Sequence, residues 1–175
     1  MGALILGVGN VLLGDEGIGV RVVEEMENRF HFSDDVTLLD GGTAGIELLR
    51  YMEGRDLLII IDAMRAGLTP GTLFRVEGDD VAQRFMSRIS PHQIGLSDLL
   101  AATILSGQTP KRIVLFGVEP ENLETGVALS AVVEKAVERV IDAIINELSQ
   151  DGYPAPAPLS SPKSSRFWTT KPPGQ

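Results

Sequence analysis

The chain predicts an α/β fold, a three-layer α/β/α sandwich with a mainly parallel, roughly five-stranded twisted sheet. Three observations carry this. Apolar runs of strand length alternate with amphipathic stretches of helix length, the order expected of βαβ units. The run Asp56–Ile61 is continuous in Leu and Ile, as in a central strand covered on both faces. A single stretch, Thr72–Glu77, alternates instead and reads as a more exposed strand, antiparallel at an edge.

Residues 3–9 form an apolar run bounded by glycine, a buried first strand. Residues 18–30 follow as a helix, with Ile18, Val22, Val23 and Met26 on one face. Val36–Asp40 is the second strand and leads into Asp-Gly-Gly-Thr. Ala44–Met52 reads as a helix closed by Gly54, and Asp56–Ala63 as the third strand. Pro70-Gly71 signals a turn before Thr72–Glu77, and Asp79–Met86 is a short helix. Ser90-Pro91-His92-Gln93 has the form of a capping box with proline at the first helical position, so a helix follows to about Leu105, with Gly95 a point of interruption. Arg112–Val118 is the fifth strand. Ser130–Leu148 is the clearest helix, with Val133, Val137, Val140, Ile141, Ile144 and Leu148 at spacings of three and four.

With 175 residues the chain predicts one domain, residues 1–150, and a tail, residues 151–175, whose six prolines and several serines predict disorder. Phe167-Trp168 is the tail's only apolar cluster. No apolar run approaches the roughly 20 residues of a membrane span, and the first residues read as a strand rather than a signal peptide, so a cytoplasmic protein is expected. The chain has no cysteine, which removes disulfides, thiolate metal sites and a cysteine nucleophile together. Its net charge is −9. Asp151 against Lys163, Arg166 and Lys171 leaves the tail at +2, so residues 1–150 carry −11. Such an acidic body argues against a nucleic-acid partner and suits cations or basic peptide segments.

Three metal-capable side chains fall where a doubly wound fold collects its functional residues. Glu16 lies in the glycine-framed loop Gly-Val-Gly-Asn-Val-Leu-Leu-Gly-Asp-Glu-Gly (7–17), Asp62 ends the run Asp56–Ile61, and His92 lies in the capping box. One imidazole and two carboxylates suit a borderline divalent metal. Taken singly, each has a plainer reading. Acids at a helix start favour the helix dipole by about 0.3–1 kcal/mol, so Asp15 or Glu16 caps. Asp62 serves equally as a turn residue, although a carboxylate ending a buried strand is costly unless compensated. His92 at a helix start is held near neutral, the metal-binding form. His31, the other histidine, reads as a solvated surface residue. Asp40, Gly41, Gly42 and Thr43 bring a further carboxylate and flexible backbone to the same edge, where another chain can approach closely; a tight strand-to-helix turn capped by Thr43 is the alternative.

A dinucleotide fingerprint fails in the first loop. The third glycine position is Leu12, and Asp15 and Glu16 would repel a pyrophosphate at the helix start. No Gly-x-Ser-x-Gly elbow, His-Glu-x-x-His helix or Walker loop is present.

Over roughly residues 3–149 the chain resembles the NiFe-hydrogenase maturation endopeptidases, of the type that processes membrane-associated uptake hydrogenases. The resemblance is carried by Ile-Leu-Gly-Val-Gly-Asn-Val-Leu-Leu-Gly-Asp-Glu-Gly-Ile-Gly-Val-Arg, Leu-Asp-Gly-Gly-Thr-Ala-Gly-Ile-Glu-Leu-Leu, Ile-Ile-Asp-Ala and Ile-Ser-Pro-His-Gln-Ile-Gly-Leu-Ser-Asp-Leu-Leu. It implies a phosphorylase/hydrolase-like fold, and a peptidase that removes a C-terminal extension from the large-subunit precursor after nickel insertion. It places Glu16, Asp62 and His92 at the nickel-binding positions, with another divalent ion able to substitute, and links Asp40–Thr43 to substrate recognition. The nickel is expected to be borne by the precursor and to act as a recognition handle. Asp15, Asp40 or Asp62 as base, or a metal-assisted route, are both open for the cleavage. A monomer without membrane or nucleic-acid partner is expected. A nickel-binding assembly factor without hydrolysis would use the same three residues, and turnover separates the two.

Overall fold

The computed structural model describes residues 2–86 and 93–161. Strand β1 (Ala3–Val8) runs into a loop that ends in one 3-10 turn at Gly14–Gly17, continued by α1 (Ile18–Arg29). Then come β2 (Phe30–His31), β3 (Val36–Gly42), a 3-10 turn at Ile46–Leu48 continued by α2 (Leu49–Met52), β4 (Leu57–Ala63), β5 (Leu73–Glu77), α3 (Asp79–Met86), α4 (Gln93–Leu105), β6 (Arg112–Val118), α5 (Ala131–Gln150) and β7 (Ala157–Pro158).

Five strands form one sheet in the order β3-β1-β4-β6-β5. All pairs are parallel except β5 with β6, so the alternating strand is the antiparallel edge its sequence predicts. The period of two sorts the core into two layers. Ala3, Ile5, Leu57, Ile59, Ile61, Val114 and Phe116 point to one face, covered by α1 and α5. Leu4, Leu6, Leu58, Ile60 and Leu115 point to the other, covered by α2, α3 and α4. Every side chain from Leu57 to Ile61 is fully buried, which is why that run carries no polar alternation. α5 opens on Ser130, whose hydroxyl accepts from the Val133 N–H at 3.4 Å, and its buried residues include Val133, Val140, Ile141, Ile144 and Leu148.

Two local expectations shift. The helix expected from Ala44 begins only at Ile46, because Gly45 adopts φ −103°, ψ −120°, and no side chain caps it, Thr43 included. The segment expected to be without structure from Asp151 onward contains one short paired stretch beyond the end of α1. Ala157–Pro158 pairs antiparallel with Phe30–His31, and the Leu159 N–H donates to the Arg29 carbonyl at 2.8 Å. Tyr153 and Phe30 pack at the margin of the core there. Residues 162–175, with Phe167-Trp168, lie outside the described residues.

The antiparallel edge is tied to α5 by charge. The Arg75 guanidinium donates to Glu147 from Nε at 2.8 Å and Nη2 at 2.9 Å, and to Glu77 at 2.6 Å. Arg112 donates to Glu77 and Asp151, each at 2.7 Å, and also to Glu147. The bond from Arg75 holds Glu147 below its ordinary value near 4.5, against the opposing effect of burial, and the bond from Arg112 does the same for Glu77. A lowered folded-state value means that the network's contribution is complete above the unfolded value and declines as pH falls through it. The expected result is a melting temperature that drops below about pH 4.5 in the wild type and drops less steeply in Glu147→Gln, measured by thermal scans from pH 6 to pH 3.

Candidate active site

The carboxyl ends of β1, β3, β4 and β6 meet at one rim of the sheet. The first loop reaches it by direct backbone contact. Gly9 sits at φ +124°, and a Cβ on it would lie 1.8 Å from the Glu16 carbonyl oxygen. Gly19, in the first turn of α1, lies across two strand ends: a Cβ there would fall 2.2 Å from the Ile61 carbonyl oxygen and 2.4 Å from that of Val8. Only glycine lets α1 start this close to β1 and β4. Glu16 is therefore delivered beside the strand that ends in Asp62. Gly19→Ala is expected to destabilise by about 2 kcal/mol or more in chemical denaturation and to lower activity, since the helix start must back away from both strands.

The acids of this rim have different surroundings. Asp15 is fully buried, and its carboxylate accepts from the Glu121 N–H at 2.9 Å, the Asn122 N–H at 2.8 Å, the Ser130 N–H at 2.6 Å and the Ser130 hydroxyl at 2.9 Å. Both oxygens are thus committed to binding the loop after β6 and the cap of α5. These bonds give Asp15 a structural part in joining the first loop to the start of α5. Glu16 is 8% exposed and Asp62 is fully buried. Asp62 continues the Leu58 and Ile60 face, and lines a water-sized cavity of about 10 Å³ with Gly42, Thr43, Leu48, Leu96 and Leu99. Burying a carboxylate is costly unless it is hydrogen-bonded, paired or bound to a cation.

Asp40 is exposed at the end of β3. The register there skips Gly41: Gly7 opposes Asp40 and Val8 opposes Gly42, a bulge that turns Gly41 inward and leaves Asp40 outside. Asp40, Gly42 and Thr43 line a cavity of about 150 Å³ with Gly9, Asn10 and Val11. Gly42 and Thr43 thus belong to both cavities and link Asp40 to Asp62.

His92 lies outside the described residues. The helix that follows it in sequence, α4, supplies Leu96 and Leu99 to the wall of the Asp62 cavity. Among the described residues no three His, Cys, Asp or Glu side chains are gathered to hold a metal ion. Glu16 and Asp62 are two oxygen donors that suit a divalent ion needing further ligands from elsewhere.

Sequence reasoning did not anticipate the loop from Glu119 to Ser130. Glu119 is buried, and its carboxylate accepts from the Ala66 N–H at 2.6 Å and the Leu68 N–H at 3.1 Å, tying the loop after β6 to the loop after β4. The Gly14 N–H donates to the Gly126 carbonyl at 2.8 Å, and the Asp15 N–H to that of Asn122 at 3.0 Å. The available signal was Glu119 itself, a carboxylate directly after the apolar run Arg112–Val118, just as Asp62 ends its own run.

Residues 20–147 match the family model described as hydrogenase maturation protease. The chain belongs to the hydrogenase maturation protease family. Over 156 residues it is 46% identical to the hydrogenase 2 maturation protease of Escherichia coli K12, covering 89% of this chain and 95% of the relative. Over 157 residues it is 44% identical to the hydrogenase expression/formation protein HoxM of Azotobacter vinelandii, covering 88% of this chain and 75% of that one. The solved structure of the hydrogenase maturating endopeptidase HybD from Escherichia coli superposes with a TM-score of 0.88 at 45% identity, covering 91% of this chain and 99% of the other. This maturation protease is a peptidase with the three-layer sandwich of its structural relatives. No helix among its described residues is long and apolar enough to cross a membrane.

Proposed function

We propose that this maturation protease removes the C-terminal extension of a NiFe-hydrogenase large-subunit precursor, and that it acts on the nickel-loaded form. The observation that carries this reading is the pair of buried carboxylates, Glu16 and Asp62, on segments that touch at the rim where Asp40–Thr43 opens two linked cavities. With His92 they would hold the open side of a nickel ion that the precursor already binds. Nickel borne by the precursor supplies the positive charge that draws the segment in and polarises a neighbouring carbonyl. A loaded precursor is then seated and an empty one is not, which makes the metal a proofreading signal.

The chain's own residues have distinct parts in this scheme. Glu16 and Asp62 are the charge partners. Gly41 and Gly42 let a substrate backbone approach. Asp40, exposed beside the larger cavity, is the carboxylate best placed to take a proton from an attacking water. Asp15 holds the loop that aims Glu16.

The test is incubation of the purified protein with nickel-loaded and nickel-free precursor, read by mobility shift and by the mass of the released peptide. Cleavage of the loaded form alone supports the whole reading. Equal cleavage of both removes nickel from recognition, and no cleavage of a native precursor removes the peptidase assignment for that substrate. A Glu16→Gln/His92→Ala double variant that still cleaves would overturn the metal-handle role.

A further inference from the structure

A protease must hold its substrate's backbone as well as a metal handle, and the sheet offers a place for it. We propose that the outer edge of β3 takes the precursor as an added strand: an extended segment, with lysine or arginine beside apolar residues, pairs along Val36–Gly42 and leads its scissile bond to Glu16 and Asp62. This rests on the peptidase reading of the same site.

The sheet order places β3 at an edge, and among the described residues no strand pairs with its outer side. The two edges carry charge differently: β5 is held in a network of arginines and glutamates, whereas the cation on β3 is Arg55, whose guanidinium donates to the Thr37 hydroxyl at 3.3 Å and leaves Leu38 and Leu39 uncovered by charge. On β5, Arg75 and Glu77 are locked with Arg112 and Glu147, and the strand runs antiparallel to its neighbour. Charged side chains of this kind blunt an edge against further pairing. The β3 sequence Val-Thr-Leu-Leu carries no charge before Asp40, and Thr37, Leu38 and Leu39 are only half-buried. An edge left in this state invites a strand.

The edge also points to the right place. β3 ends at Asp40 and the Gly41 bulge, and Gly42 and Thr43 lie on both cavities, one of which Asp62 lines. Strands in a sheet are spaced by about 4.8 Å, so a segment beside β3 sits three strands from β4 and reaches Asp62 by turning over the bulge. The charge of the occupant follows from the flanks. Asp34 and Asp35 are exposed before β3, and Asp40 and Glu47 are exposed at its far end. Carboxylates at both ends of an uncharged strand favour a segment bearing cations. Main-chain pairing of this type is largely independent of side-chain identity, which suits a protease that must hold an extension soon to be discarded.

Hydrogen–deuterium exchange tests this with Asp40→Asn, which is expected to slow turnover while leaving Glu16 and Asp62 to seat the metal, alone and with nickel-loaded native precursor, alongside wild-type cleavage of the same precursor. The expected result is slowing of the backbone amides at positions 38 and 40, which face away from β1, by at least about tenfold in the complex. Wild-type cleavage with unprotected β3 amides overturns the strand pairing and leaves the peptidase reading standing. Absence of wild-type cleavage overturns that reading and the pairing with it. In a second arm, the surface variant Asp34→Lys/Asp35→Lys is expected to raise KM for the precursor by about fivefold at low salt with kcat unchanged. An unchanged KM overturns the basic character assigned to the segment.

Discussion

Asp62→Asn is expected to leave a folded protein whose kcat/KM for the precursor falls about 100-fold, the upper end of the loss that an outer partner of a metal ligand produces. The substitution keeps the shape of a fully buried side chain and replaces a carboxylate with a neutral amide. Asparagine keeps one carbonyl acceptor in the same shape, so the melting temperature should move by less than about 4 °C. Cleavage assays and a thermal scan on the same preparation check both parts. A variant that loses activity and melts much lower would assign Asp62 to the fold rather than to the substrate.

Asp15→Ala should behave in the opposite order, with stability falling first and activity following. The carboxylate accepts three backbone N–H groups and one hydroxyl in a buried setting. Removing it strands donors at Glu121, Asn122 and Ser130, and a charged acceptor deleted from such a position costs about 3–5 kcal/mol. For a chain of this size that lowers the melting temperature by about 10 °C. Asp15→Asn is not a rescue, because its amide would turn N–H groups toward N–H groups. Asp15→Asn melting like the wild type would show that the charge is not what holds the loop.

The contrast between these neighbours marks the limit of what the sequence discloses. Asp15 and Glu16 are adjacent acids at a helix start, and nothing local tells which of the two binds the distant loop after β6. Asp15's partners lie 106 to 115 residues away, beyond any pattern of spacing. The sheet was legible because its strands are short apolar runs whose burial on both faces suppresses alternation, and the helix of Ser130–Leu148 because its apolar side chains repeat every three or four residues. β7 was not legible, since two residues among prolines pair only because α1 happens to end beside them. Gly9 reads as a loop glycine in the sequence and Gly19 as one residue of a helix; the structure shows both where main chain meets main chain, Gly9 against Glu16 and Gly19 against Val8 and Ile61.

That close approach has a practical consequence for engineering. At Gly9 and Gly19 main chain touches main chain, and this fixes how closely the Glu16 turn approaches the end of β4. Repacking the layers around Val140, Ile144 or Leu115 should therefore change how long the enzyme survives heat without changing how it aims. Thermal endurance and catalytic alignment can be selected one at a time in this scaffold, provided the two glycines are left alone.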